Sequence, residues 1–166
     1  MQYLIGQIFG LFSTACCLVL PLFKQKRNML LANGLNNALV IVNILLVDGF
    51  GSAALVCAVA VVQVAVMLRH LRLSTPVTQK ENHLFLALYT VSGLLGFRTV
   101  VDVLPIVGAV FNMLSTFQRD EQRTRWFLLI NASTFALYYF IIGSTALFAV
   151  LCTIVSTVIA LFRYKK

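Results

Sequence analysis

Apolar runs close to 20 residues long follow one another along the whole chain, parted by short joins of charged and turn-forming residues. A helix of that length crosses the ~30 Å hydrocarbon core of a bilayer. A helix also satisfies its own backbone in hydrocarbon, where an open strand edge cannot. The pattern predicts an all-α, polytopic membrane protein. Composition agrees: 60% of the 166 residues are hydrophobic and 11% are charged, against roughly a quarter charged in soluble domains.

Seven transmembrane helices are expected, over roughly 3–23, 29–47, 51–68, 83–101, 104–118, 126–142 and 145–162. The joins are KQKRN, DGFG, RHLRLSTPVTQKENH, the stretch from Arg98 to Pro105, RDEQRTR and GST. Joins this tight make consecutive helices antiparallel neighbours. The fourth segment is the shortest, with a clean apolar part, LFLALYTVSGLLGF, of only 14 residues. Charge placement nevertheless favours counting it. With seven spans, twelve of the thirteen basic residues fall on one side and only Arg98 on the other. With six, the last six of those twelve change sides. The positive-inside rule therefore selects seven, with the N-terminus outside and the C-terminus cytoplasmic. Arg98 and Asp102 stand four apart, the spacing of a structural ion pair on one helix face. Trp126 and Tyr3 fall at the predicted interfaces, as belt aromatics do.

The net charge of +8 does not point to nucleic acid, because the cations sit in small groups without interleaved aromatics. It suits membrane lipids with anionic headgroups. Cys16, Cys17, Cys57 and Cys152 all lie in apolar runs without CxxC spacing, so they read as packing residues and no metal or cofactor is expected. The N-terminal segment lacks a basic region before its apolar stretch and is taken as a span, not a cleaved signal. No enzyme motif is present: there is no HExxH, GxGD or nucleophile elbow, and His70 and His83 fall in the polar loop as solvated residues. Gly6 and Gly10 have GxxxG spacing, which either permits close packing inside the bundle or joins two copies as a homo-oligomer.

A shift of 98 superposes Ile8 on Ile106, Gly10 on Gly108, Arg27 on Arg125, Leu30–Leu31 on Leu128–Leu129 and Asn33 on Asn131. After a four-residue adjustment, Gly49 meets Gly143 and Arg69 meets Arg163. Two copies of a three-helix unit are expected, residues 1–70 and 102–166, separated by a cytoplasmic loop and linker helix over 71–101. An odd fourth helix makes the copies parallel, a 3+1+3 arrangement of two triple-helix bundles.

The stretch VLPIVGAVFNMLSTF, the run from Gly10 to Arg27 into an Asn-bearing second helix, and the IGS turn at 142–144 resemble the YgjV family of bacterial inner-membrane proteins. The likeness covers roughly 5–70 and 100–163. That family is similar in helix pattern to SWEET, SemiSWEET and PnuC carriers, which implies a 3+1+3 bundle in the bacterial inner membrane. It implies no substrate. The third helix, LVCAVAVVQVAVMLR, has Cys57 and Ala60 where family members carry Asn and Arg, and Pro21 is followed by Leu22 instead of the Gln of SemiSWEET proteins.

The functional reading rests on amides. At about 100° per residue, Asn33, Asn36, Asn37 and Asn43 fall within about 120° of one helix face. Asn131, Thr134 and Tyr138 trace the matching face of the sixth helix, and Asn112 with its repeat partner Thr14 adds polar groups to the fifth and first. An unpartnered amide costs several kcal/mol in hydrocarbon. These groups are therefore expected to line a wet pocket at mid-depth that takes a small neutral polar solute such as a polyol or nucleoside-like molecule. No ionisable residue is placed at mid-depth, so a facilitator or carrier is favoured over an ion-coupled pump. The alternative is a non-transporting structural or regulatory subunit whose amides only bind helix to helix.

Overall fold

The computed structural model of the chain describes residues 2–47, 52–95, 97, 100–141 and 146–164. Among them it is all-α, without a strand. Seven helices are present: α1 Gln2–Val19, α2 Lys26–Val47, α3 Ser52–Leu73, α4 Gln79–Leu94, α5 Val103–Phe117, α6 Glu121–Ile141 and α7 Ala146–Arg163. Short 3-10 turns, Leu20–Leu22 and Val100–Asp102, end α1 and lead into α5. The DGFG turn at 48–51 with Gly49, Arg98 and so the expected Arg98–Asp102 pair, the 142–144 turn with Gly143, and Lys165 and Lys166 lie outside the described residues, as does the side chain of Tyr3.

Among the described residues, two helices are long and apolar enough to cross a membrane, Leu4–Leu22 and Ala54–Leu73, and two shorter apolar ones run over Val103–Phe117 and Leu147–Arg163. The amides, hydroxyls and charged first turns of α2 and α6 dilute the apolar character of those two. Large apolar side chains nonetheless cover the outside of the molecule: Leu11, Phe140, Phe148 and Phe162 are each at least 70% exposed. Apolar surface on that scale asks for an apolar surrounding.

Helix contacts run in a closed cycle. α1 packs on α2, α2 on α3, α3 on α5, α5 on α6, α6 on α7 and α7 on α1, while α4 rests against α3 and α5. Small residues allow the closest approaches. A side-chain carbon added to Gly108 would lie 2.6 Å from the Phe135 ring, and one on Gly93 would lie 2.7 Å from Ile106. In α2, α6 and α7 the buried residues gather toward the end that carries the basic joins. In α2 they are Lys26, Met29, Leu30, Asn33 and Asn37; in α6, Thr124, Arg125, Leu128 and Ala132; in α7, Ser156, Thr157, Ala160 and Leu161. Beyond Asn37 in α2 and Ala132 in α6, and before Ser156 in α7, no described side chain of these three helices is buried.

Several boundaries differ from the sequence expectation. α4 occupies 79–94 where 83–101 was expected, because Thr78 starts it with a capping box: its hydroxyl accepts from the Glu81 amide while the Glu81 carboxylate accepts from the Thr78 amide. α6 starts at Glu121, five residues early, because the Asp120 carboxylate accepts from the amides of Gln122 and Arg123. α3 runs on to Leu73 and ends in a left-handed Ser74, φ 54°. There the Thr75 amide donates to the His70 carbonyl and the Ser74 amide to that of Leu71, the Schellman pattern. His70 is not simply solvated. Its ring bonds Thr75 at 2.8 Å and Glu81 at 2.9 Å, tying the loop to both helices. The Thr78 backbone amide first, and His70 next, hold the Glu81 carboxyl down at about 2.

Ser74 adopts a conformation that favours glycine, so Ser74→Gly is expected to stabilise the protein by about 1 kcal/mol. Thermal unfolding of the detergent-solubilised chain reads this out; an unchanged or lowered midpoint would contradict the left-handed cap.

Candidate functional site

The amide stripe of α2 divides between two neighbours. Asn36 turns to α1, where its Oδ1 accepts from the Ser13 hydroxyl at 2.6 Å and from the Cys17 thiol at 3.3 Å. Asn43 also turns to α1 and donates to the Gly6 carbonyl at 2.6 Å. Gly10 faces the same amide: an added side-chain carbon would lie 3.1 Å from the Asn43 Nδ2. The Gly6 and Gly10 spacing is therefore used inside the chain, between α1 and α2.

Asn33 and Asn37 face inward and are buried. The Asn37 amide donates to the Asn33 carbonyl at 2.8 Å and to its Oδ1 at 3.1 Å. The Asn33 Nδ2 in turn lies 3.5 Å from the Thr116 hydroxyl of α5. Thr116 returns its proton to the Asn112 carbonyl, as does Ser115. A polar strand of groups thus runs from α2 to α5, one to three turns in from the basic end.

The second set of predicted residues is less tightly engaged. Asn131 is half-buried on α6, and its Oδ1 is a buried acceptor that receives no hydrogen bond. It faces Gly108 across the α5–α6 contact, where an added side-chain carbon would come within 3.3 Å of it. Thr134 and Thr14 bond back to carbonyls of their own helices, Ile130 and Gly10, and Tyr138 is half-buried. The structure therefore joins Asn33, Asn37 and the Asn112 backbone in one network. It puts Asn131 within reach of the same α5 helix, and it assigns Asn36 and Asn43 to a different contact.

Residues outside the predicted site seal the basic end. Lys26, 6% exposed, donates from Nζ to the Ser115 carbonyl at 2.6 Å and to the Thr124 hydroxyl at 2.8 Å. Arg125, 2% exposed, donates to the carbonyls of Pro21 at 3.2 Å and Phe23 at 2.9 Å. Its guanidinium also lies 4.7 Å from the centre of the Tyr164 ring, whose hydroxyl donates to the Leu22 carbonyl. Each cation meets helix-end carbonyls that have no partner in their own helix. Lys26 could have been found by noting that it stands 98 residues before Thr124, the repeat offset itself. Gln63 was also missed. It is fully buried in α3, donates to the Met113 carbonyl at 3.1 Å and accepts from the Tyr89 hydroxyl at 2.9 Å. The signal was a single amide in the apolar run VVQVAV.

Chemically, the interior offers amides, hydroxyls and carbonyls. Among the described residues no three His, Cys, Asp or Glu side chains come together as metal ligands. Such a surface can exchange hydrogen bonds with hydroxyls and amides but has little to neutralise a charged solute.

Burial pushes the Lys26 amine down from its ordinary 10.5 to about 7, with Glu121 opposing the shift. The unfolded chain keeps this proton up to its higher pKa, so between pH 7 and 10.5 it binds more protons than the folded form. Stability should then rise with pH across that window. Comparing unfolding of the parent and Lys26→Met at pH 7 and pH 8.5 isolates the slope; equal slopes would refute the burial of the amine. Arg125→Ala leaves the Pro21 and Phe23 carbonyls without donors and is expected to cost about 3 kcal/mol. Arg125→Lys, keeping charge but losing the forked donor, should cost less; equal losses would argue against the two-carbonyl contact.

No curated protein and no solved structure matches the chain. The Imp-YgjV family, described as bacterial inner membrane protein, matches residues 4–166. That match takes in the α1–α2 contact, the polar network and both buried cations, so the chain belongs to the YgjV family of bacterial inner membrane proteins.

Proposed function

We propose that this protein is a carrier or facilitator of a small neutral polar metabolite, built from two parallel three-helix units and closed at its basic end in this structure. The observation that carries the reading is the Asn131 Oδ1, a buried acceptor without a donor beside an otherwise satisfied polar network. A buried amide oxygen left unpaired costs about 1–3 kcal/mol, and a solute hydroxyl reaching it removes that cost.

The two-unit architecture draws support from reciprocal contacts. α2 reaches the end of α5 through Lys26, and α6 reaches the end of α1 through Arg125. Exchanging the units turns the α1–α7 contact into the α5–α3 contact, and both are present. Lys26 and Thr124, equivalent positions under the shift of 98, bond to each other, as residues near a twofold axis do. With seven spans, the basic end faces the cytoplasm and the N-terminus lies outside. The gathering of burial at the basic end of α2, α6 and α7 then corresponds to one state of an alternating-access cycle.

A second reading is favoured by Asn36 and Asn43. Both amides are consumed by α1, as in a structural or regulatory subunit whose polar groups only join helices.

Tracer uptake into liposomes separates the two. For a transported solute, Asn131→Leu should lower uptake about tenfold, the worth of one hydrogen bond of ~1.4 kcal/mol. In a chain stripped of its native cysteines, a bifunctional methanethiosulfonate bridging Lys26→Cys and Thr124→Cys, whose side chains meet in this structure, should abolish uptake, and reductant should restore it. Correctly inserted protein that moves no member of a broad panel of sugars, polyols and nucleosides would reject the carrier reading in favour of the second.

A further inference from the structure

Two clefts meet on the outer side of α2. One, about 620 Å³, runs between α1 and α2 and is walled by apolar side chains that include Phe12, Val19, Leu35 and Leu39. The other, about 660 Å³, lies between the start of α2 and the end of α3; Arg27 and Arg72 rim it over Leu68 and Leu71. Leu31 walls both clefts and is 47% exposed. A single molecule can therefore lie against α2 with one part in each.

The two parts differ in chemistry. Arg27 and Arg72 are exposed, and among the described residues neither has an ion-pair partner. Lys26 also borders the second cleft, but its amine is already committed to Ser115 and Thr124. Two free guanidiniums over leucines suit a phosphate group, which arginine grips with parallel donors. The adjoining apolar cleft suits a hydrocarbon chain and is of no use to a free anion. A basic pocket between helices at the cytoplasmic level of a membrane protein is a known setting for anionic headgroups.

We propose that the joined clefts form a binding site for an anionic phospholipid, with its phosphate on Arg27 and Arg72 and an acyl chain between α1 and α2. A zwitterionic lipid brings its own cation to the two arginines and is held less well. The site lies on the lipid side of α2, away from the Asn33–Thr116 network, so it stands whether or not the protein transports a solute.

The test uses the full-length chain, delipidated in detergent and offered phosphatidylglycerol or phosphatidylcholine, with bound lipid read by native mass spectrometry. Phosphatidylglycerol should be retained over phosphatidylcholine by on the order of tenfold. Arg27→Gln with Arg72→Gln should erase that preference, whereas Lys80→Gln with Arg123→Gln, the same change of charge elsewhere, should leave it. Leu35→Trp, which fills the apolar cleft at an exposed position, should lower retention with both arginines intact. The proposal is overturned by equal retention of the two lipids, by equal loss in the Lys80/Arg123 pair, or by no effect of Leu35→Trp. Displacement of phosphatidylglycerol by millimolar inorganic phosphate would overturn it too, marking a free-anion site instead.

Discussion

Every helix ends with carbonyls that its own backbone cannot satisfy, and an end buried in the bundle has no water to take the missing partners' place. This protein answers with two buried cations. Lys26 takes the Ser115 carbonyl near the end of α5, and Arg125 takes the Pro21 and Phe23 carbonyls at the end of α1. Neither has a carboxylate as its direct partner in these bonds; helix-end dipoles supply the negative potential. Because Lys26 begins α2, Arg125 stands in the second turn of α6, and each grips the end of a helix far away in sequence, the contacts also join the two halves of the chain. The burial of Met29, Leu30 and Leu128 around them follows from that closure.

Above this closure the polar groups serve two purposes. Asn36 and Asn43 fasten α2 to α1 with ordinary interhelical bonds, each worth about 0.6 kcal/mol on average. Asn33 and Asn37 turn the other way and continue through Thr116 toward the Asn112 carbonyl. A stripe within about 120° of one helix face is wide enough to touch two neighbours, and here it does. Polar lining and helix adhesion are therefore adjacent uses of one surface.

The seven helical segments were legible in the sequence because apolar runs and charged joins alternate so regularly. Their ends were less so. The charges of RDEQRTR were read as a loop, yet Asp120 caps a helix whose first turn carries them beyond the apolar span. The TQKE pattern at 78–81 is a capping box that should have started α4 earlier. In the site, the amides were visible as a set, but periodicity cannot say which neighbour satisfies each one. Lys26 enters the sequence reading as an orientation charge, and Arg125 as that and as the repeat partner of Arg27, since nothing local marks a cation for burial. Their partners lie 89 to 104 residues away.

α4 stands apart from the cycle formed by the other six helices and has 16 residues, a length of about 24 Å. Its first turns, Gln79 to His83, are polar, so its apolar part is shorter still. Were it to cross a bilayer, it would fall several ångströms short of a ~30 Å hydrocarbon core, a deficit that bilayers meet by compressing locally or by drawing short helices together. The lipid collar would then be uneven, pinched beside α4 and full-height beside α1 and α3, whose length and apolar character suffice for a membrane. Membrane thickness would then be a variable acting on one edge of the molecule alone, through the elasticity of the bilayer and without any chemical ligand.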